Sequence, residues 1–160
     1  MTRANPMDLL SDILSTIQIE NTFFGRQTLT EPWGYEIPPT STVHFLRVTS
    51  GACWLMRPGH EPQRLESGDF VMFARPTISV FASSPDAEIV PLVDLIRKYY
   101  AVDYSIELRN APPLDLHHGG GGPATELVGG AIDLPVDTGA MLINSMPEFI
   151  YLSSREPETR

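Results

Sequence analysis

Cysteine is nearly absent. Cys53 is the only one in the 160 residues, so no internal disulfide can form and nothing demands an oxidising compartment. Positive charge is also scarce: 11 Lys and Arg stand against 20 Asp and Glu, a formal net charge of -9. With no run of Lys or Arg, the surface offers no electrostatic footprint for nucleic acid or an anionic membrane. Long apolar runs are missing too. Met1–Pro6 is polar, and the apolar residues that follow are broken by Asp8, Ser11 and Asp12, which is neither a signal peptide nor a span. A cytoplasmic setting is expected. Catalytic signals are equally thin. There are only four histidines, no serine sits in Gly-x-Ser-x-Gly, and the glycines Gly119–Gly122 are not followed by Gly-Lys-Ser/Thr, which excludes a P-loop. No pair of residues rises to a catalytic constellation, so no enzymatic activity is expected.

What is abundant is turn chemistry. Fifteen Pro and 12 Gly in a chain long enough for one hydrophobic core tilt the class toward β. Asn5-Pro6 caps a predicted helix over Met7–Ile17, where Leu10, Ile13, Leu14 and Ile17 form one stripe. The period then changes to that of strands: Ile19–Leu29, Tyr35–Ile37, Thr42–Thr49, Cys53–Met56, Gln63–Glu66, Asp69–Ala74 and Ile78–Ala82. In Thr42–Thr49, His44, Leu46 and Val48 share one face while Val43, Phe45 and Arg47 share the other. A helix is predicted over Pro91–Tyr99, irregular chain over Ala101–Gly122, and strands over Thr125–Asp133 and Glu148–Leu152. Short strands with turn signals roughly every eight to twelve residues suggest a sandwich or small barrel. Residues 1–152 read as one domain and residues 153–160 as a polar tail or the start of a linker.

Individual residues carry two readings each. His44 is either a hydrogen-bonded core histidine or a polar anchor facing a cavity. Trp33 and Trp54 could equally line a pocket or fill the core. His117-His118 beside the glycines reads as a loop whose glycines let the backbone pass close to the barrel. Asp69 after Gly68 reads as turn chemistry, and Cys53 as an inert buried thiol.

The unit Phe45–Met56, followed by Gln63 to Phe73, resembles a cupin, a double-sheet jelly roll. More specifically it is similar to the cupin domain at the N-terminus of many AraC-family regulators. Carrying that likeness are Met7 to Asp12, Pro32-Trp33-Gly34, Gly51 to Leu55, Leu65 to Asp69, Val90 to Leu92, and His118 to Gly122. The sequence departs at two positions: Ser79 stands where a histidine is common, and Gly129 or Gly130 where a cysteine is usual.

The resemblance implies a mainly β fold: a cupin double-stranded β-helix (jelly-roll) barrel with an N-terminal helix and one or two further short helices. It implies a sensor in which a small-molecule effector enters the barrel and controls a C-terminal helix-turn-helix domain outside this sequence. His44, Trp54, Met72 and Ser79 are the expected ligand contacts. Enzymatic cupins hold a metal with histidines and a glutamate. Counting from Gly51, the glutamate position is His44, and the histidine positions fall among Ile37, Pro38, Pro39 and Thr40. In the second motif the matching positions are Ala74, Pro76 and Ser79. One surviving ligand does not hold a transition metal tightly, so neither a metal nor another cofactor is expected. No direct contact with nucleic acid and no membrane is expected of this domain, whereas homodimerisation is compatible with reading paired half-sites. The alternative is a small stand-alone cupin enzyme of the isomerase or dioxygenase type.

Overall fold

The computed structural model describes residues 21–40, 42–100, 113–133 and 136–155. The helix predicted over Met7–Ile17 lies outside them. The described residues form eleven strands and two helices: β1 (Asn21–Thr30), β2 (Gly34–Ile37), β3 (Val43–Ser50), β4 (Ala52–Met56), β5 (Gln63–Glu66), β6 (Phe70–Phe73), β7 (Ser79–Ala82), β8 (Val90–Pro91), α1 (Leu92–Tyr100), β9 (Leu114–Gly119), β10 (Ala124–Asp133), α2 (Val136–Ser145) and β11 (Phe149–Leu152).

The strands form two sheets. One runs β11-β6-β3-β10-β1-β9 and the other β5-β4-β7-β2-β8. Pairing is antiparallel except at two edges, where β9 joins β1 and β8 joins β2 in parallel. Side-chain alternation decides which residues meet between the sheets. From the larger sheet come Leu46 and Val48 of β3, Val71 and Phe73 of β6, Leu127 of β10, and Leu114 and Leu116 of β9. From the smaller come Tyr35, Cys53, Leu55, Leu65 and Phe81, and α1 adds Leu92, Leu95 and Ile96. Two apolar faces closed on each other, with helices few, make the mainly β jelly-roll architecture that the turn spacing suggests.

A second, smaller cluster lies on the opposite face of the larger sheet. Val43, Met72 and Ile132 are buried there, with Phe45, Phe70, Ile143, Met146 and Ile150 packed on them. Ile143 belongs to α2, so this helix covers a sheet face that would otherwise expose apolar side chains.

One predicted segment differs. Irregular chain was expected over Ala101–Gly122, yet β9 occupies its end, with His117 and His118 on a strand and not in a loop. The strand hangs on only two buried leucines and on parallel hydrogen bonds to β1, a long-range partner that no local pattern announces. The glycine that ends it does what the composition suggests. Gly119 has φ +134, and a Cβ there would collide with the Thr30 carbonyl oxygen.

Asp69 exceeds its expected role. It is buried and accepts four hydrogen bonds: from the Glu66 amide at 2.8 Å, the Ser154 amide at 2.9 Å, the Ser154 hydroxyl at 3.1 Å and the Tyr151 hydroxyl at 3.2 Å. The first closes the β5–β6 turn. The other three fasten the end of β11, and the chain beyond it, to that turn. Burial pushes the Asp69 carboxyl up, but these hydrogen bonds outweigh it and hold it below the ordinary aspartate value.

Candidate functional site

A cavity of about 60 Å3 lies between the sheets. Its walls are mainly apolar: Ile37, Leu46, Phe73, Phe81, Leu92, Ile96, Leu114 and Leu116. The space exists partly because glycine stands on the inner face of adjacent strands. Gly25 pairs with Gly129, and Gly129 pairs with Leu46, so no side chain projects there.

Polar groups on the walls are few. Tyr35 donates its hydroxyl proton to Gln27 Oε1 at 2.7 Å. His44 projects from β3 beside Ala131 and Phe73 in the register. Its Nε2 lies 2.8 Å from the Thr40 hydroxyl oxygen and its Nδ1 lies 3.3 Å from that of Thr42, while the two hydroxyls are 2.8 Å apart. Burial lowers the His44 pKa, because the charged ring is stripped of water with no carboxylate to offset the loss. The ring is therefore a neutral donor–acceptor held by two threonines at the cavity wall.

These residues do not form a metal site. Both His44 nitrogens face hydroxyls, and among the described residues no group of three or more His, Cys, Asp or Glu side chains could hold a metal ion. The donor set a cupin metal needs does not fit here.

Of the four residues expected to touch ligand, His44 lines the cavity. Ser79 is buried on the inner face, paired with Ile37, but is not among the lining residues. Trp54 and Met72 lie elsewhere. Trp54 alternates with the core residues Cys53 and Leu55, and it stands opposite Arg64, whose guanidinium is 6.0 Å from its ring. Met72 belongs to the outer cluster beneath α2. Both strands are apolar on both faces, so sequence alternation could not decide which face turned inward. Trp33 is core, stacked on Tyr35 at 5.9 Å. The cavity residues that sequence reasoning missed are Gln27, Tyr35 and the Gly25–Gly129 pair. A glycine at an inward position of a strand was the available signal.

Cys53, His117 and His118 are not among the residues that line the cavity. Cys53 is buried and its thiol is pushed up to about 12, first by burial and then by the charge of Asp69. His117 pairs with exposed Asp115 at 3.2 Å, and the Tyr99 hydroxyl lies 3.2 Å from His118 Nδ1. Among the described residues no helix is long and apolar enough to cross a membrane.

The family comparison agrees with this architecture. A family model described as cupin matches residues 8–160. No curated protein matches the chain. Among solved structures, ToxT from Vibrio cholerae O395 bound to (E)-4-(8-methylnaphthalen-1-yl)but-3-enoic acid matches at 8% identity and a TM-score of 0.45, over 85% of this chain. The chain spans 43% of the length of that structure. With its two-sheet barrel and a family match over nearly its whole length, the chain belongs to the cupin family, in the AraC-type group that its motifs resemble.

Proposed function

We propose that this domain is the ligand-sensing part of an AraC-type transcription regulator. It binds a small molecule between its sheets and thereby controls a helix-turn-helix domain that follows it in the cytoplasmic protein. The observation that carries the reading is the cavity itself: apolar walls, with a neutral His44 and the Tyr35–Gln27 pair as sparse polar anchors. We propose His44, Gln27 and Tyr35 as the ligand's polar contacts. Ser79 stands beyond Ile37, whereas Trp54 and Met72 support the walls from behind. Residues 1–152 are the sensor and residues 153–160 begin the linker. Ligand binding favours one arrangement of barrel and linker, and the DNA-binding half responds to that shift in population. A regulator reading paired half-sites works as a homodimer.

The test is a thermal-shift screen of small organic metabolites on the purified protein, repeated with His44→Ala. A true effector raises the wild-type melting temperature, and the substitution weakens it about tenfold, the worth of one buried hydrogen bond. If His44→Ala leaves the affinity unchanged, the site assignment is wrong. One stoichiometric metal ion in the purified protein would instead favour a cupin enzyme of the isomerase or dioxygenase type.

A further inference from the structure

The cavity between the sheets, about 60 Å3, is small against the roughly 300–1,000 Å3 of sites that hold metabolite-sized ligands. Next to it, outside the barrel, an open groove of about 550 Å3 is lined by Arg57, His60, Arg75, Glu148 and Phe149. Phe73 lines both spaces. Its ring packs edge-on to Phe81 at 6.4 Å within the core and against Phe149 at 5.1 Å on the groove side. One aromatic side chain thus separates them. Resting on the sensor reading, we infer that the ligand is an organic monoanion with an apolar body, held at its charged end by Arg57 and Arg75. Its apolar body enters the barrel past Phe73, where His44, Gln27 and Tyr35 meet its far end.

The charge arrangement in the groove selects this chemistry. Arg75 is fixed by Glu148, Nη1 to Oε1 at 2.8 Å, and also faces the Met146 carbonyl oxygen at 3.4 Å. Glu148 therefore offsets one arginine. Arg57 has no such counter-ion: among the described residues no carboxylate lies within 4.0 Å of it, and its guanidinium rests 3.7 Å above the centre of the Phe149 ring. It is partly buried. A partly buried cation with no counter-ion, in a chain of net charge -9, is the reverse of what overall composition would place there. Stacking on Phe149 keeps the guanidinium oriented, and its planar fork matches a carboxylate. One uncompensated positive charge calls for one negative charge, which a carboxylate supplies without the second charge of a phosphate monoester. His60 stands beside it, with Nδ1 donating to the Pro58 carbonyl at 2.9 Å.

Phenylbutyrate and its neutral counterpart phenylbutanol, titrated into the full chain and followed by amide NMR shifts, test the inference. The carboxylate should bind about tenfold tighter than the alcohol, the worth of one charge-assisted hydrogen bond at a half-exposed site. It should perturb amides of both the groove, such as Thr77, and the cavity, such as Ala131. Arg57→Gln should remove that advantage and leave the alcohol's affinity unchanged. Phe73→Leu, with a native amide spectrum confirmed first, should strengthen both probes by widening the partition. Equal affinities with a silent Arg57→Gln overturn the anion end while leaving the cavity reading intact. Shifts confined to the groove overturn the passage past Phe73. If neither probe binds at millimolar concentration, to wild type or to Phe73→Leu, the inference falls, and the sensor reading is decided separately by the metabolite screen.

Discussion

Asp69 and His44 are both buried polar residues, but their surroundings set opposite preferences. Asp69 is satisfied as an anion by four donors on three residues. Its carboxyl is held below the ordinary aspartate value, so the stability it contributes is complete above that value and disappears as pH falls through the depressed one. Asp69→Ala is expected to cost about 2–4 kcal/mol at neutral pH, because several donors lose a charged acceptor at once. Asp69→Asn should lose less and flatten the acid limb. Urea unfolding at neutral pH and near pH ~3, below the usual aspartate range, reads both effects. His44 behaves differently, because burial favours its neutral ring. Its pKa is lowered in the folded chain, so its contribution is complete above the unfolded value of about 6.5 and is lost as pH drops through the lower folded value. An NMR titration of the imidazole should show a midpoint below that of a free histidine. A midpoint at or above it would mean the ring is solvated or paired with a carboxylate.

Among the elements, the alternation of β3 between its two faces was legible in the sequence. The alternation of His44, Leu46 and Val48 against Val43 and Phe45 is what the two clusters show. The turns at Gly51 and Gly68, both at positive φ, were equally plain. Two kinds of element were not. β9 depends on a parallel partner far away in the chain, which leaves no periodic trace in its own six residues. β4 and β6 are apolar on both faces because other side chains or α2 cover their outer side, so Trp54 and Met72 were placed in a cavity that they do not line. The candidate site was half legible for a related reason: it is made as much by missing side chains, at Gly25 and Gly129, as by present ones. Gly129→Val should fill that space. A Cβ at this position already comes 3.0 Å from the Phe45 carbonyl oxygen, so overpacking is expected to cost about 1–3 kcal/mol in thermal unfolding. Ligand binding should be lost while the fold persists; unchanged binding would place the ligand elsewhere.

Taken as a whole, the chain carries net charge -9, with basic residues dispersed or paired, as Arg64 and Arg155 both are with Glu66. The isolated domain is therefore expected to show no anisotropy change with a labelled DNA duplex at micromolar concentration and low salt. Measurable binding that weakens with added salt would reveal a basic face outside the described residues.

The position of Asp69 has a mechanical consequence. β11 is four residues long and pairs along its whole length with β6, Phe149 opposite Phe73 and Leu152 opposite Phe70. One end of this short plank bears the aromatic pair between cavity and groove. Just past the other end, Ser154 is pinned to Asp69, where the chain leaves the barrel. A ligand wedged between Phe73 and Phe149, as proposed above, would load the β6–β11 ladder at the Phe149 end. On the proposed route, displacing Phe149 would carry strain along β11 to the Ser154–Asp69 hydrogen bonds at its far end.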